Sequence, residues 1–503
     1  MFNLKIFILT AIFLTALVLR FYQFEAWFEW GGNQSLYSWE LRQLVAGHPT
    51  LVGFDAAAIG GLRFPPFQLY MLAIPFFLSG GNPAGINTFL IVLGAVTTVT
   101  FYFVGKAIFG QRVAMVSALI YTFSLHTVTV DRKFNGSTFM VIVSLLTIGF
   151  LYKLLNSEKL KFWHFIILGT IIGLGFSMHY QTIFLLIAAL IVLIWQKKLK
   201  LFSINFLVFV ATIIVWFLPL LIFDIRHGFF NLKGLFLLQE SYTTHGLTLS
   251  GFTQSAQYFI QNFSAIAAKP FYFTNLQNFL NPAVLFLFAL SLTFFPLLFK
   301  SDKKTQTLLI FFVLLSFLGF AGLAFYARST YNYDYYYWFL IPVFVFVLAK
   351  IVNWFFELKL GYLAVLVLAF FLLTNLWLFS KYKAPDSYKI FSTATAAILI
   401  DSKQNSVGEI VVKFGEIHPG QLDYIFFRQS EEFKIASENI VLVADNDLFI
   451  ERTIVKAPPP VRILGKSNGA NFIPKYLFEK SFEEKSNLQL IFEEGKYKVY
   501  KLL

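Results

Sequence analysis

The stretch Gly31–Pro66, GGNQSLYSWELRQLVAGHPTLVGFDAAAIGGLRFPP, decides the architecture through its neighbours. Before it, residues 4–22 (LKIFILTAIFLTALVLRFY) form an apolar run long enough to cross a bilayer. After it, apolar segments follow one another for some three hundred residues. The stretch itself is too polar to span a membrane, and too rich in aromatic residues and glycine to be a solvated linker. It carries Glu40, Arg42, His48, Asp55 and Arg63 in a region otherwise poor in charge. It therefore reads as the heart of a long first loop, residues 23–83, that forms one wall of a site at the outer membrane surface.

Composition agrees. The chain is 57% hydrophobic and only 13% charged, roughly half the charge of a soluble domain. Apolar segments near 4–22, 84–105, 113–128, 137–155, 162–177, 180–195, 202–222, 282–299, 307–326, 335–353 and 360–379 predict a polytopic α-helical membrane protein of about 11 spans. The first is expected to stay as an anchor, since FYQFEAW is a poor cleavage site. Residues 65–81, short and interrupted by Pro75, read as an interfacial or re-entrant helix. Gly169 and Gly173, four residues apart, predict close helix packing on one face. There is no cysteine, which excludes disulfides and thiol chemistry.

The net charge of +13 is unevenly shared. Residues 384–503 hold 16 of the 27 acids and 15 of the 40 bases, leaving 11 acids against 25 bases in residues 1–383. The tail is nearly neutral. Strands at 409–414, 438–444 and 460–465, a hairpin over 488–502 turning at Glu494–Gly495, and a helix at 389–403 predict a small C-terminal α/β domain. The basic membrane part points to positive-inside loops and membrane lipids, not to nucleic acid. Lys106/Arg112, Lys153/Lys159/Lys161, Lys197/Lys198/Lys200, Lys300/Lys303/Lys304 and Lys350/Lys359 all fall on one side if the N-terminus is cytoplasmic. That orientation in the cell membrane makes the loops 23–83 and 223–281, the turns 129–136 and 327–334 and the α/β domain extracytoplasmic.

Chemistry at that face must draw on its acids: Glu25, Glu29, Glu40, Asp55, Asp131, Asp224, Glu240 and Asp334. If residues 34–46 are helical, closed by Gly47, then Asn33 is the N-cap and Glu40 follows about 10 Å along the same face. Both then have an ordinary reading, as a cap and a solvated helix residue, and Asp55 has one as a loop acid. Asp131-Arg132-Lys133 puts three charges in a tight turn, which is costly unless they are wet or paired. They either snorkel, or bind a lipid phosphate while Asp131 faces an acceptor. Arg226 and His227 after Asp224 could grip a phosphate or make an interfacial pair. His179 and Tyr180 cap a short helical hairpin, as structural groups or as pocket lining. No metal cage, P-loop, dinucleotide fingerprint or nucleophile elbow is present, so no cofactor is identified and a divalent metal, though possible, is not indicated.

Together these features resemble the GT-C glycosyltransferases, in particular bacterial relatives of the protein O-mannosyltransferase and aminoarabinose transferase group. Many relatives carry W-x-G-D-Q-G-R-D-A, then a helix, a G-x-x-P-L-x-G turn and a G-P-L or F-P-P start to the next helix. Here the loop reads Trp30-Gly-Gly-Asn-Gln-Ser-Leu36, Gly47-His-Pro-Thr-Leu-Val-Gly53 and Phe64-Pro-Pro66. Arg132 to Asn135, His179-Tyr180, and Asp224 to Gly228 (against F-E-L-R-H-G) are further points of likeness. The resemblance covers residues 1–383 and implies an inverting transferase with a polyprenyl-phosphate-linked sugar as donor and a glycan, lipid or protein as acceptor. Donor phosphate would be held by Arg132, Lys133, Arg226, His227 and Arg328, with His179, Tyr180 and Asn135 in the acceptor pocket. The family's first-loop acid aligns with Asn33, and an amide cannot act as a base. Asp131, then Glu40, then Asp55 are the expected substitutes. Two other readings stay open: a catalytically impaired scaffold of this fold, and a lipid-linked sugar flippase. The latter predicts paired broken helices in related halves, which are not seen.

Overall fold

A computed structural model describes residues 4–56, 62–234, 302–326, 334–384, 386–405, 407, 410–414, 422–444, 462–464, 476–479, 488–494 and 497–502. In chain order its helices are α1 (Leu4–Phe21), α2 (Gly32–Val45), α3 (Phe67–Leu78), α4 (Pro83–Phe109), α5 (Gln111–Phe123), α6 (Leu125–Val130), α7 (Met140–Asn156), α8 (Phe162–Met178), α9 (Thr182–Trp195) and α10 (Ile204–Arg226). Then follow α11 (Lys303–Tyr326), α12 (Ile341–Glu357), α13 (Gly361–Lys381), α14 (Tyr388–Gln404) and α15 (Asp423–Phe433). The chain divides into two compact units. The first is Met1–Tyr22, Thr50–Gln68 and Leu90–Tyr382; the second is Gln23–Pro49, Leu69–Phe89 and Lys383–Leu503. The opening stretch is thus shared between them.

Among the described residues five helical segments are long and apolar enough to cross a membrane: Pro83–Phe109, Gly136–Asn156, Ile204–Arg226, Tyr335–Glu357 and Gly361–Lys381. Ile6–Phe21, Phe67–Leu78, Phe162–Met178 and Thr182–Trp195 are shorter apolar helices. The segment predicted at 282–299 lies outside the described residues. Burial sorts the helices: 67% of the apolar window of Gly136–Asn156 is buried inside the protein, against 11% for Ile204–Arg226. The first is a core helix, while α10 turns most of its surface outward, as lipid solvation permits for an all-apolar helix.

α10 packs on α8, through the predicted glycine face. A Cβ at Gly169 would lie 2.9 Å from Phe209 O, and one at Gly173 would lie 2.5 Å from Trp216 Cδ1. Only hydrogen allows the backbones so close. The segment predicted as one helix at 113–128 is broken at Ser124 into α5 and α6. The break is satisfied from two directions. Ser124 Oγ caps α6 by accepting from Thr127 N, and Asn375 Oδ1, on α13, accepts from Leu125 N at 2.8 Å. Without these partners the orphan amides of a buried helix start would be costly.

α6 ends at Asp131, which meets Arg20 from the end of α1. Arg20 Nε and Nη2 donate to Asp131 Oδ2 at 2.8 and 2.7 Å, and Tyr121 Oη donates to Oδ1 at 2.6 Å. Both charged side chains are buried, Arg20 wholly. Gly94 on α4 makes room for them, since a Cβ there would lie 2.5 Å from Asp131 Oδ2.

In the second unit six strands form one sheet of order β3-β2-β1-β4-β6-β5. They are β1 (Ile410–Phe414), β2 (Ile440–Ala444), β3 (Arg462–Leu464), β4 (Tyr476–Glu479), β5 (Leu488–Glu494) and β6 (Tyr497–Leu502). β1 pairs in parallel with β2 and β4, and β6 antiparallel with β4 and β5. α14 packs against β5 and β6, and α15 against α14 and α2. α2 corrects one expectation. It begins at Gly32 with Gly31 at the N-cap and no side-chain cap, so Asn33 lies inside the first turn. Gly47 closes the helix at φ +93, where its lack of a Cβ is needed.

Removing Arg20 would strand the Asp131 carboxylate in the protein interior. Arg20→Met is expected to lower stability by about 3–5 kcal/mol, read as an earlier unfolding midpoint in detergent, and Arg20→Met/Asp131→Asn to recover most of it.

Candidate active site

Residues 52–56 and 62–64 double back on each other. Gly53 N donates to Phe64 O at 2.7 Å, Phe64 N to Phe54 O at 3.0 Å and Ala56 N to Leu62 O at 2.7 Å. This hairpin sets Asp55 opposite Arg63. Gly53 is obligatory here, because a Cβ would lie 2.6 Å from Pro65 O. Both Asp55 and Arg63 are half-buried.

Turns distant in the chain close on this hairpin. From the α8–α9 turn, Tyr180 Oη donates to Arg63 O at 2.6 Å, and the Tyr180 and His179 rings lie 4.9 and 5.5 Å from Phe64. From beyond α10, Asn231 Oδ1 accepts from Arg63 N at 2.6 Å. The turn after Asp131 brings Phe134 edge-on to Phe54, 6.2 Å between centroids. That same turn meets the end of α8, where a Cβ on Gly136 would collide with Met178 O. Residues 334–340 close the ring. Gln181 Nε2 donates to Tyr335 O at 3.3 Å, and Lys133 Nζ lies 5.7 Å from the Trp338 ring centre.

Asp224 anchors one side of the cluster. Its Oδ1 accepts from Asn231 N at 2.7 Å and Asn231 Nδ2 at 3.1 Å, and its Oδ2 from Leu232 N at 3.2 Å. These bonds fold residues 229–232 back onto the end of α10, a reversal that Gly228 allows at φ +65. A hydrogen-bonded chain thus runs Tyr180–Arg63–Asn231–Asp224. At its far end Arg226, His227 and Lys233 are all exposed. His227 stacks on Phe223 at 4.0 Å, with Nδ1 2.8 Å from Phe223 O.

The remaining predicted residues fall elsewhere. Asp131 is engaged on both oxygens as described. Arg132 is 1% exposed and donates Nη1 to Tyr22 O at 2.7 Å. Burial pulls its guanidinium down to about 9, so it stays cationic at neutral pH while facing protein. Burial lowers His179 to about 3, which keeps its imidazole neutral. Asn135 caps the following turn, accepting from Ser137 N at 3.0 Å. Asn33, exposed, and Glu40, half-buried, lie on α2 in the second unit. Arg328 lies outside the described residues. Among the described residues no three His, Asp or Glu side chains group to hold a metal ion.

Arg20, Asn231 and Lys233 were not singled out from the sequence. Arg20 had a usable signal, since a lone arginine in an apolar helix needs a buried partner. Asn231 had none, because its role depends on a chain reversal that local composition does not announce.

The family model of dolichyl-phosphate-mannose-protein mannosyltransferases matches residues 63–223, from the hairpin arginine to the end of α10. The whole chain aligns with the crystal structure of ArnT from Cupriavidus metallidurans bound to undecaprenyl phosphate, covering 99% of this chain and 98% of that one, at 13% identity and a TM-score of 0.53. The chain has an ArnT-like fold. The apo form of the same ArnT aligns at 13% identity over 99% of this chain and 98% of that one, with a TM-score of 0.52. The oligosaccharyltransferase AglB from Archaeoglobus fulgidus aligns at 12% identity over 95% of this chain and 70% of that one, at 0.48. No curated protein sequence matches.

Asn231 is the joint between the hairpin and α10. Asn231→Ala is expected to cost the hairpin about 1–3 kcal/mol of local stability, seen as faster hydrogen exchange at Arg63 and Phe64 with α7 unchanged.

Proposed function

We propose that the protein is a membrane glycosyltransferase that moves a sugar from a polyprenyl-phosphate donor to an acceptor at the outer membrane face. In this reading about eleven helices span the cell membrane, the N-terminus is cytoplasmic, and the α/β domain of residues 384–503 is extracytoplasmic. The observation that carries it is the convergence of separate turns on the paired residues 52–56 and 62–64 beside exposed cations. It occurs in a fold like that of ArnT, which was crystallised with undecaprenyl phosphate.

The donor phosphate would sit against Arg226, His227 and Lys233, with Arg226 able to bind it bidentately. Cations there stabilise the charge that builds on the leaving phosphate. The acceptor oxygen attacks the anomeric carbon from the opposite face, and the carbon–oxygen bond to phosphate breaks. Phosphate leaves with the electron pair, the configuration inverts, and the acceptor's proton passes to a carboxylate.

Asp131 is a poor candidate for that carboxylate in this arrangement, because Arg20 and Tyr121 occupy both its oxygens. We assign it to anchoring the turn that carries Arg132 and Lys133. Asp55, opposite Arg63, is the first choice for the base, and Glu40 on α2 the second. His179 and Tyr180 would line the acceptor side. Asn33, where relatives carry an acid, favours one rival, a scaffold of this fold without turnover.

With a polyprenyl-phosphate sugar supplied to membranes, Asp55→Asn is expected to lower kcat by about 10²–10⁴-fold. Arg226→Ala and Lys233→Ala should weaken donor binding by about 10–100-fold each. Full turnover in both Asp55→Asn and Glu40→Gln would exclude these acids. Absence of donor consumption by the wild type with every acceptor class would favour the scaffold.

A further inference from the structure

The second unit holds a buried acid that this reading leaves unused. Asp423, the first residue of α15, is 3% exposed. Its Oδ1 accepts from Ser35 Oγ, and from Tyr424 N at 2.7 Å; its Oδ2 accepts from Trp39 Nε1 at 3.0 Å. Both side-chain donors stand on α2, one turn apart, on the face that also buries Ser38 and Leu41. Around them the Trp39 ring lies 5.1 Å from Tyr424 and 4.9 Å from Phe427. Arg42 lies 4.3 Å over Phe427 and pairs with Glu431 at 2.9 Å. The segment before α2 is tied to the same unit, with Trp30 N donating to Asp386 O at 2.8 Å and Tyr388 N to Phe28 O at 2.7 Å.

We infer that Asp423 is a positioning residue, which fixes α2, and with it Asn33 and Glu40, on the C-terminal α15. The surface ion pair of Arg42 and Glu431 is half in water and adds little. The aromatic contacts hold the helices together without setting α2's rotation about its axis. The Asp423 carboxyl sets that rotation, because its two α2 donors must both point inward to reach it.

The contact carries a pH dependence. Burial raises Asp423 to about 6 from 3.8, against the lowering effect of its three donors. Glu25, before α2, acts on the neighbouring Tyr388; the other charged groups acting on Tyr424 and Tyr388 are Arg42 from α2 and Arg428, Glu431 and Glu432 from α15. They pair among themselves, Arg42 with Glu431 and Arg428 with Glu432. The docked form therefore holds the Asp423 proton more tightly than an undocked one. Docking is strongest below pH 4 and weakens as pH rises through about 6. A difference of about two units corresponds to a change of about 100-fold in the docking equilibrium.

The inference deepens the glycosyl-transfer reading through Glu40, the second choice of base, but the contact is measured without turnover. In the full-length protein in nanodiscs, hydrogen exchange of residues 32–45 is followed at pH 5 and pH 8, corrected for intrinsic rates. The wild type should lose protection at pH 8 by about 10-fold, the part of the full range that lies between these two pH values. Asp423→Asn should hold the same protection at both pH values, and Asp423→Ala should lose it at both while α14 stays protected. Wild-type protection of α2 in Asp423→Ala, or wild-type pH dependence in Asp423→Asn, would overturn the inference. Failure of the wild type to transfer sugar, with α2 behaving as described, would sink the enzymatic reading and leave the positioning role standing.

Discussion

Everything at the candidate site hangs on the Asp224 carboxylate, near the end of α10, accepting from the amides of Asn231 and Leu232, which lie in the first turn of the helical residues 230–234 and have no partner within that turn. A helix ending at a membrane edge must turn its chain without abandoning polar backbone in a medium that cannot solvate it. Here the turn is closed by one side chain, whose two oxygens take the amides of Asn231 and Leu232. Asn231, so fixed, offers its own carbonyl oxygen to the hairpin, and the hairpin offers Arg63 O to Tyr180. Each link is a modest bond, but each presents the next acceptor in a set place, so the links act as a unit.

Asp131 and Asp224 divide the structural labour in two ways. Asp131 neutralises a cation, Arg20, taken out of water by α1, and a tyrosine completes its shell. Asp224 carries no ion pair among the contacts described and is held by amide dipoles. The first locks helices α1, α5 and α6 to one another; the second shapes a loop. With Asp224 buried, the exposed charges at the end of α10 are those of Arg226 and Lys233.

The helices were legible because lipid-solvated segments must be apolar throughout, and the Gly169–Gly173 face because close packing admits little else. Strands β1, β2 and β3 and the β5–β6 hairpin follow from β-branched runs. β4 was missed, since YLFE is four residues long with little alternation. α15, DYIFFRQSEEF, was not assigned from the sequence; it is 11 residues long and lies just after the breaker pair Pro419-Gly420. At the site, the meeting of separate turns was anticipated, but not which acid faced what. Asp131 in sequence is a charge in a turn. That its oxygens point inward depends on Arg20, some hundred residues earlier, and on the room left by Gly94. Asn33 was expected to cap α2, yet Gly31, two residues earlier, takes that position.

α10 is unusual in showing so much of its flank to the outside while its far end bears Arg226, His227 and Lys233. A molecule with an acyl tail diffusing sideways within the leaflet can run along that flank and arrive headgroup first at these three side chains. It need not leave the bilayer or thread a channel. In the glycosyl-transfer reading, traffic to this end of the helix would be two-dimensional, its rate set by the concentration of the donor lipid in the membrane plane.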